Sequence, residues 1–558
     1  MSMTLKKCFF VLIVPIGVVI MLTGLIIYSV QMEDVTEPLV RTGLGTIRGL
    51  RAEDGEFNVF LGIPYAKVNA SNVFGPSIQH KKFTSIYHAN DDSFVCPQYD
   101  FINKKIVAGT LDCLRLNVYV PHTASSDNNL RPVLILIAGS NNLSVYYKKS
   151  FLGPKFLMQK DIIMVVISYR VGPYGFFCVD DPRTSGNQGL KDQVIALKWV
   201  KDNIKCFGGD PNRITLAGGR SGGENVNLHL LYGKEDDVFH NVIIDSGIYK
   251  DPIENAHEVS APIALAEHLG CASSTDTEAL TFLSNINTTS VIKASMKLNL
   301  KYQPCVEIEH DNAFITNRDI NSYTMNLKRT PILISHSEKE ITGEYYVHNL
   351  DEAVDIFETT IEKIFDIEED IGLEDMEDYV RRFYLENATV SSKHGSKVTK
   401  FLSDVYANYP TNRMINKYLN SGSNDIYYGI FTYPGVRSLE KIAYDIDVST
   451  AVTGDVYGYL FDIPLFKKTL DEDEETVVDV VTTLWANFVK FGNPTPNITQ
   501  TLPVKWNPVG KSKLNFMDIS KSLKLNIAPY NKRITFWDLF TKKYGHLKRN
   551  HHGVEPWI

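Results

Sequence analysis

The chain has 558 residues, 44% of them hydrophobic and 22% charged, an ordinary globular balance with ample apolar material for a large core. The formal net charge of −8 argues against nucleic acid as a partner, because phosphate binding needs a basic surface. No internal repeat or long low-complexity tract occurs, and a large α/β unit can fill this length as one body.

Taken in chain order, the first feature is an uncharged stretch from Cys8 to Val30. As a helix it spans about 34 Å, enough to cross a bilayer. Lys6 and Lys7 precede it, and Glu33 and Asp34 follow it, which orients the bulk of the chain away from the cytoplasm. The stretch is longer than the apolar core of a signal peptide, and it ends Ile27-Tyr28-Ser29-Val30-Gln31, a poor cleavage site. The expected layout is a cytoplasmic tail (1–7), a transmembrane signal-anchor (8–30), a linker (31–38), an ectodomain (39–545) and a C-terminal tail (546–558). Export in soluble form after signal cleavage is the competing layout. The sequons at Asn69, Asn142, Asn287, Asn387 and Asn497 agree with export. So do the six cysteines outside the apolar stretch, an even number suited to disulfides.

Continuous apolar runs then predict buried strands at Arg131–Ala138, Asp161–Tyr169, Arg213–Ala217, Val242–Ile244 and Thr330–Ile334. Helical spacing marks Gly189–Ile204, a helix from about Glu224, a charged helical insertion over Asp351–Leu402 and a long helix over Val477–Phe491. The acidic run Asp471–Glu475 reads as a solvated loop. Alternating strands and helices predict a mostly parallel sheet with helices on both faces.

Several ordered motifs carry a resemblance. They are Phe60-Leu61-Gly62-Ile63-Pro64-Tyr65-Ala66, Asp112-Cys113-Leu114-Arg115-Leu116-Asn117-Val118, Gly186-Asn187-Gln188-Gly189-Leu190-Lys191-Asp192-Gln193, Phe207-Gly208-Gly209-Asp210-Pro211-Asn212-Arg213 and Trp485-Ala486-Asn487-Phe488. Together they resemble the type-B carboxylesterase/cholinesterase family, from about Leu39 to Trp537. The resemblance implies an α/β-hydrolase fold, preceded here by the one transmembrane helix, and no cofactor or metal. It implies a Cys96–Cys113 disulfide. It leaves Cys271 with Cys305 as a candidate pair and gives Cys178 and Cys206 no partner.

Ester hydrolysis of this type needs an activated serine, a base and donors for the oxyanion. Residues 218–223 read G-G-R-S-G-G, so a nucleophile elbow fits on Ser221 or, one residue earlier, on Arg220. The flanking motifs align without a gap only when Arg220 holds the nucleophile position. The family's histidine falls on Thr453, and no histidine occurs between His394 and His546. The oxyanion loop reads Ala138-Gly139-Ser140-Asn141-Asn142, leaving Gly139, Ser140 and Ser221 at the donor positions. A glycan on Asn142 would stand at the entrance. Glu340 fills the acid position, and an Arg220–Glu340 ion pair is expected in place of the triad.

These departures lead to the expectation of a catalytically inactive, membrane-anchored ectodomain. Its nearest analogues would be the family's non-catalytic members such as neurotactin, glutactin and the neuroligins. Adhesion to an extracellular protein partner follows from that resemblance, and the helix over Val477–Phe491 allows a homodimer. Two alternatives stand beside it: a carboxylic ester hydrolase using Ser221, and a protein that sequesters an apolar small molecule.

Overall fold

The computed structural model describes residues 37–545 apart from 123–128, 234–237, 248–253, 256–260, 317–323, 341–355, 366–371, 387–394, 446–447, 467–468 and 512. The expected anchor at 8–30 lies outside the described residues, as do both tails. Among the described residues no helix is long and apolar enough to cross a membrane.

One sheet of twelve strands organises the molecule. In chain order its strands are β1 (Leu50–Arg51), β2 (Phe57–Pro64), β3 (Arg115–Pro121), β4 (Arg131–Ser140), β5 (Ser144–Val145) and β6 (Ile163–Ile167). They continue with β7 (Gly209–Gly219), β8 (Asn241–Asp245), β9 (Ile332–Ser337), β10 (Ile426–Phe431), β11 (Asn515–Ile519) and β12 (Lys524–Ile527). Across the sheet they run β12-β11-β10-β9-β8-β7-β4-β6-β3-β2-β1, with β5 folded back on β4. Every pairing from β11 to β6 is parallel, and both flanks are antiparallel. The sheet is therefore mixed, where the sequence pattern predicts a mostly parallel one. The apolar runs that carried that expectation are the central strands, which need cover on both faces.

That cover is visible residue by residue. In β4, Val133, Ile135 and Ile137 enter one apolar core and Leu134 and Leu136 the other; Val242 and Ile244 in β8 oppose Ile243 in the same way. Helices α1 (Gln188–Asn203) and α2 (Ser221–Tyr232) cover the first face through Leu190, Val200, Val226 and Leu230. A third core gathers helices α3 (Ile356–Phe365), α4 (Leu373–Leu385) and α5 (Gly395–Ser403) around Phe536, Trp537 and Phe540 of the C-terminal helix. The helical insertion predicted over Asp351–Leu402 corresponds to α3–α5.

Two short helices, α6 (Leu439–Tyr444) and α7 (Tyr457–Leu460), flank the site described below. The long helix α8 (Glu472–Phe491) covers the second face through Val477, Val481, Leu484 and Phe488. The acidic run at 471–475 is not a loop. Asp471 caps α8, accepting from the Glu474 backbone N–H while the Glu474 side chain returns to the Asp471 N–H, and the other acids fill its first turn. Negative charge is favourable there because the unpaired N–H groups of a helix start carry partial positive charge.

Cys96 pairs with Cys113. Cys305 pairs with Cys178, not with Cys271. Cys271 and Cys206 are free. The expected Cys271–Cys305 pair rested on a family position. The tight packing of both Cys178 and Cys305 sulfurs against Gly186 shows that the tertiary fold brings a different cysteine alongside.

Candidate active site

Strand β7 runs into α2 through a turn made by Arg220 alone. Its φ of 54° and ψ of −128° lie where side-chain-bearing residues rarely sit, a strain on the order of 1–3 kcal/mol that the surroundings must hold. The sequence supplies the room. A Cβ on Gly218 would meet the Gly222 carbonyl oxygen at 2.3 Å, and one on Gly222 would meet the Ile137 carbonyl oxygen at 2.0 Å. The Arg220 N–H donates to the Asp245 carbonyl at 3.0 Å, and its own carbonyl accepts from Glu224 at 2.9 Å. Helix α2 starts at Ser221, three residues before the sequence-based start, since three small residues bring the turn tight against the sheet.

The Arg220 guanidinium pairs through Nη1 with Glu440 of α6. Through Nη2 it donates to the Thr453 carbonyl at 3.0 Å. Burial opposes its charge, but the Glu440 carboxylate restores it and leaves the pKa raised. The expected Arg220–Glu340 pair is thus replaced. Glu340 accepts instead from the Ser246 hydroxyl at 2.7 Å and the Ser337 N–H at 2.6 Å. A carboxylate so supplied needs no cation of its own.

Thr453 is buried, and its loop is held by Asp455, which accepts from the Val452 N–H at 2.9 Å. Burial pushes the Asp455 carboxyl up to about 6. His229 and His336 stand elsewhere in the core. His229 bonds Gln193 at 2.8 Å and His336 bonds the Tyr428 hydroxyl at 2.7 Å.

The oxyanion loop has become a hairpin: β4 runs on to Ser140 and pairs back with β5. Gly139 keeps its value there, for a Cβ would come within 3.2 Å of the Ser221 Oγ and 2.5 Å of the Tyr169 hydroxyl. The Ser221 Oγ is buried and has no hydrogen-bond partner among the described residues. Asn142 is 4% exposed and donates to the Tyr302 carbonyl at 3.3 Å, so the expected glycan has no room. Asn287 and Asn497 are exposed and Asn69 half-exposed, while Asn387 lies outside the described residues.

Above the turn opens a cleft of ≈ 690 Å³, open solvent included. Its floor is Gly139, Ser140, Gly219 and Arg220; Phe101, Ile102, Phe151 and Leu439 form apolar wall, and Glu440 faces Arg220. Sequence reasoning missed Glu440, Tyr146 and Tyr457 as lining residues. A lone glutamate in a short helix carries no local signal of its partner.

A strand–turn–helix elbow beneath an apolar cavity, at the C-terminal edge of a parallel sheet centre, defines an α/β-hydrolase of the esterase type. The family model "Carboxylesterase family" matches residues 36–537, and the chain belongs to that family. It is 27% identical over 560 residues to juvenile hormone esterase of Tribolium castaneum, covering 90% of this chain and 93% of that one. It is also 27% identical over 483 residues to esterase FE4 of Myzus persicae, covering 80% and 83%. The crystal structure of juvenile hormone esterase from Manduca sexta superposes with a TM-score of 0.78 at 22% identity, over 91% of this chain and all of that one.

These findings correct two expectations. The relatives are named esterases, which overturns the reading of a non-catalytic adhesion ectodomain and of a chain that is not an enzyme. That reading leaned on a handful of motif positions, whereas the kinship spans nearly the whole chain. The likeness to neurotactin, glutactin and the neuroligins finds no support among these relatives.

Proposed function

We propose that the chain is a carboxylic ester hydrolase working in this cavity, with Ser221 as nucleophile and Arg220 as a charged donor to the developing oxyanion. The observation that carries the reading is the cavity's position on the elbow of a chain whose long-range relatives are named esterases. The Ser221 Oγ has no hydrogen-bond partner among the described residues and lies behind the floor residue Gly139, so attack on a bound ester requires the side chain to turn past Gly139 into the cavity. A fixed cation beside the reacting carbonyl is worth more in such a water-poor site than in solvent. The cavity lining includes no histidine, so the hydroxyl proton lacks a strong acceptor. Water must then take the hydroxyl proton as the Oγ–acyl bond forms and the alcohol leaves, so turnover is expected to be slow, with the Arg220 cation as the charged aid to the oxyanion. Hydrolysis of p-nitrophenyl butyrate by the purified chain, lost in Ser221→Ala, is the expected result. Turnover at the buffer rate, or turnover indifferent to Ser221→Ala, overturns the reading.

We also infer that the chain is exported, with residues 8–30 as the signal. Two disulfides support an oxidising compartment. Mass spectrometry of the mature N-terminus distinguishes a retained anchor from a cleaved signal.

A further inference from the structure

We propose that the cavity receives an apolar monocarboxylate, whose carboxylate takes the place of Glu440 on Arg220 while its body packs among the aromatic walls. The proposal rests on the reading that this cavity is the functional site, and it names the class of molecule: the acid released from an aryl- or alkyl-alkanoic ester.

Four observations converge. The first is the cation itself. A guanidinium is permanently charged and presents a planar fork suited to a carboxylate, and here it stands at the floor of an apolar chamber.

The second is that the chain already demonstrates the fit. Glu440 reaches Arg220 from the wall, so a carboxylate oxygen is accommodated at that point. Exchanging one carboxylate for another keeps Arg220 paired, and the displaced Glu440 carboxyl then takes up a proton, so acid binding carries one proton with it. A neutral ester offers no such exchange and would bind with the Arg220–Glu440 pair intact.

The third is a pair of phenol hydroxyls with nothing to bond. Tyr146 and Tyr457 both line the cavity; the Tyr457 hydroxyl has no hydrogen-bond partner among the described residues, and the Tyr146 hydroxyl has only the Ser144 hydroxyl beside it, out of hydrogen-bond geometry. The Tyr457 hydroxyl lies against Gly219, where even a Cβ would meet it at 2.1 Å, one residue from Arg220. Burial pushes both phenols up, so each remains a neutral donor at physiological pH. Leaving a buried hydroxyl unbonded costs on the order of 1–3 kcal/mol, and a bound carboxylate oxygen would relieve it.

The fourth is the shape of the walls. Tyr146 stacks on Phe151 with ring centroids 4.4 Å apart, and Phe101, Ile102, Leu152 and Leu439 complete an apolar sleeve. A carboxylate on a bare polar body would gain nothing from it.

The test is calorimetric titration of the full chain with sodium 4-phenylbutyrate and, separately, with its methyl ester. The acid should bind the wild type more tightly than the ester does. Arg220→Gln should weaken the acid at least tenfold, and by several-fold more than it weakens the ester. Glu440→Gln should tighten the acid about tenfold, because the internal competitor is gone, without effect on the ester. Tyr457→Phe should weaken the acid several-fold without lowering the melting temperature, since the hydroxyl has no partner to lose. Equal binding of acid and ester, or an acid affinity unmoved or weakened by Glu440→Gln in a protein that melts like wild type, overturns the proposal. Acid binding without p-nitrophenyl butyrate turnover sinks only the hydrolase reading, and turnover without acid binding sinks only this one.

Discussion

Two arginine–carboxylate pairs, one fully buried and one part-exposed at the cavity, sit in the same molecule and do opposite things. Arg170 is fully buried with Asp192: its Nε and Nη2 donate to the two carboxylate oxygens at 2.7 and 2.8 Å, and Nη1 donates to the Val73 and Gly75 carbonyls at 3.1 and 2.7 Å. Every face of that guanidinium is occupied by the fold. Arg220 has one carboxylate and one carbonyl, packs against Gly454, and borders the cavity. A saturated pair locks segments together, whereas an unsaturated pair beside open volume is a group that a ligand can address. Burial of a charge therefore does not by itself distinguish structure from function; the count of committed donors does.

The sharpest way to break the contrast is to undo the Arg220 side of it. Arg220→Ser with Thr453→His trades the Arg220 cation for a second hydroxyl, on the strained turn, and puts an imidazole on the loop whose carbonyl Arg220 now holds. General-base assistance contributes typically 10²–10⁴-fold, and p-nitrophenyl butyrate turnover in the double variant should rise by that order. No rise in a folded double variant would mean that the altered β4–β5 hairpin, not the missing base, limits the rate.

The Arg170 side predicts a stability effect without any ligand response. Arg170→Ala leaves Asp192 buried and unpaired, a loss of about 3–5 kcal/mol, read as a large drop in the urea midpoint. The corresponding Arg220→Gln change should move the midpoint less, because Arg220 is part-exposed where Arg170 is fully buried.

Asp245 sharpens the comparison from the carboxylate side. It lies beneath the turn with the Ser335 hydroxyl at 2.7 Å, and burial pushes it up to about 7. The folded state keeps a proton that the unfolded chain releases above pH ~4. Stability should therefore be full in acid and fall as pH rises from about 4 to about 7. Asp245→Asn should abolish that fall and stabilise the protein at pH 8 by about 3–4 kcal/mol, which follows from a shift of roughly three pH units. A wild-type midpoint flat across this window would show that Asp245 is ionised in the fold.

Much of this arrangement is legible in the chain. The five apolar runs are strands because their residues alternate between two cores, and the run from 131 to 138 extends only as far as the hairpin adds. The glycines at 218 and 222 announce a turn with no room for side chains, so a tight strand–turn–helix junction can be read without coordinates. The class of protein followed from ordered motifs, but its activity did not. The changed motif residues alone point to lost function, whereas kinship to named esterases over nearly the whole chain points the other way.

What local sequence determines here is whatever depends on a residue's immediate neighbours: burial of a strand from its composition and a turn from its glycines, while the Cys96–Cys113 disulfide follows from the family resemblance. What it leaves open depends on which remote segment arrives alongside. Arg220 meets Glu440 and not Glu340, because two serine and backbone donors already satisfy Glu340. Cys305 meets Cys178 across a sequence separation of 127. Asn142 is closed to a glycan by the Tyr302 carbonyl. Each of these is a competition among distant partners for one site, and only packing in three dimensions decides it.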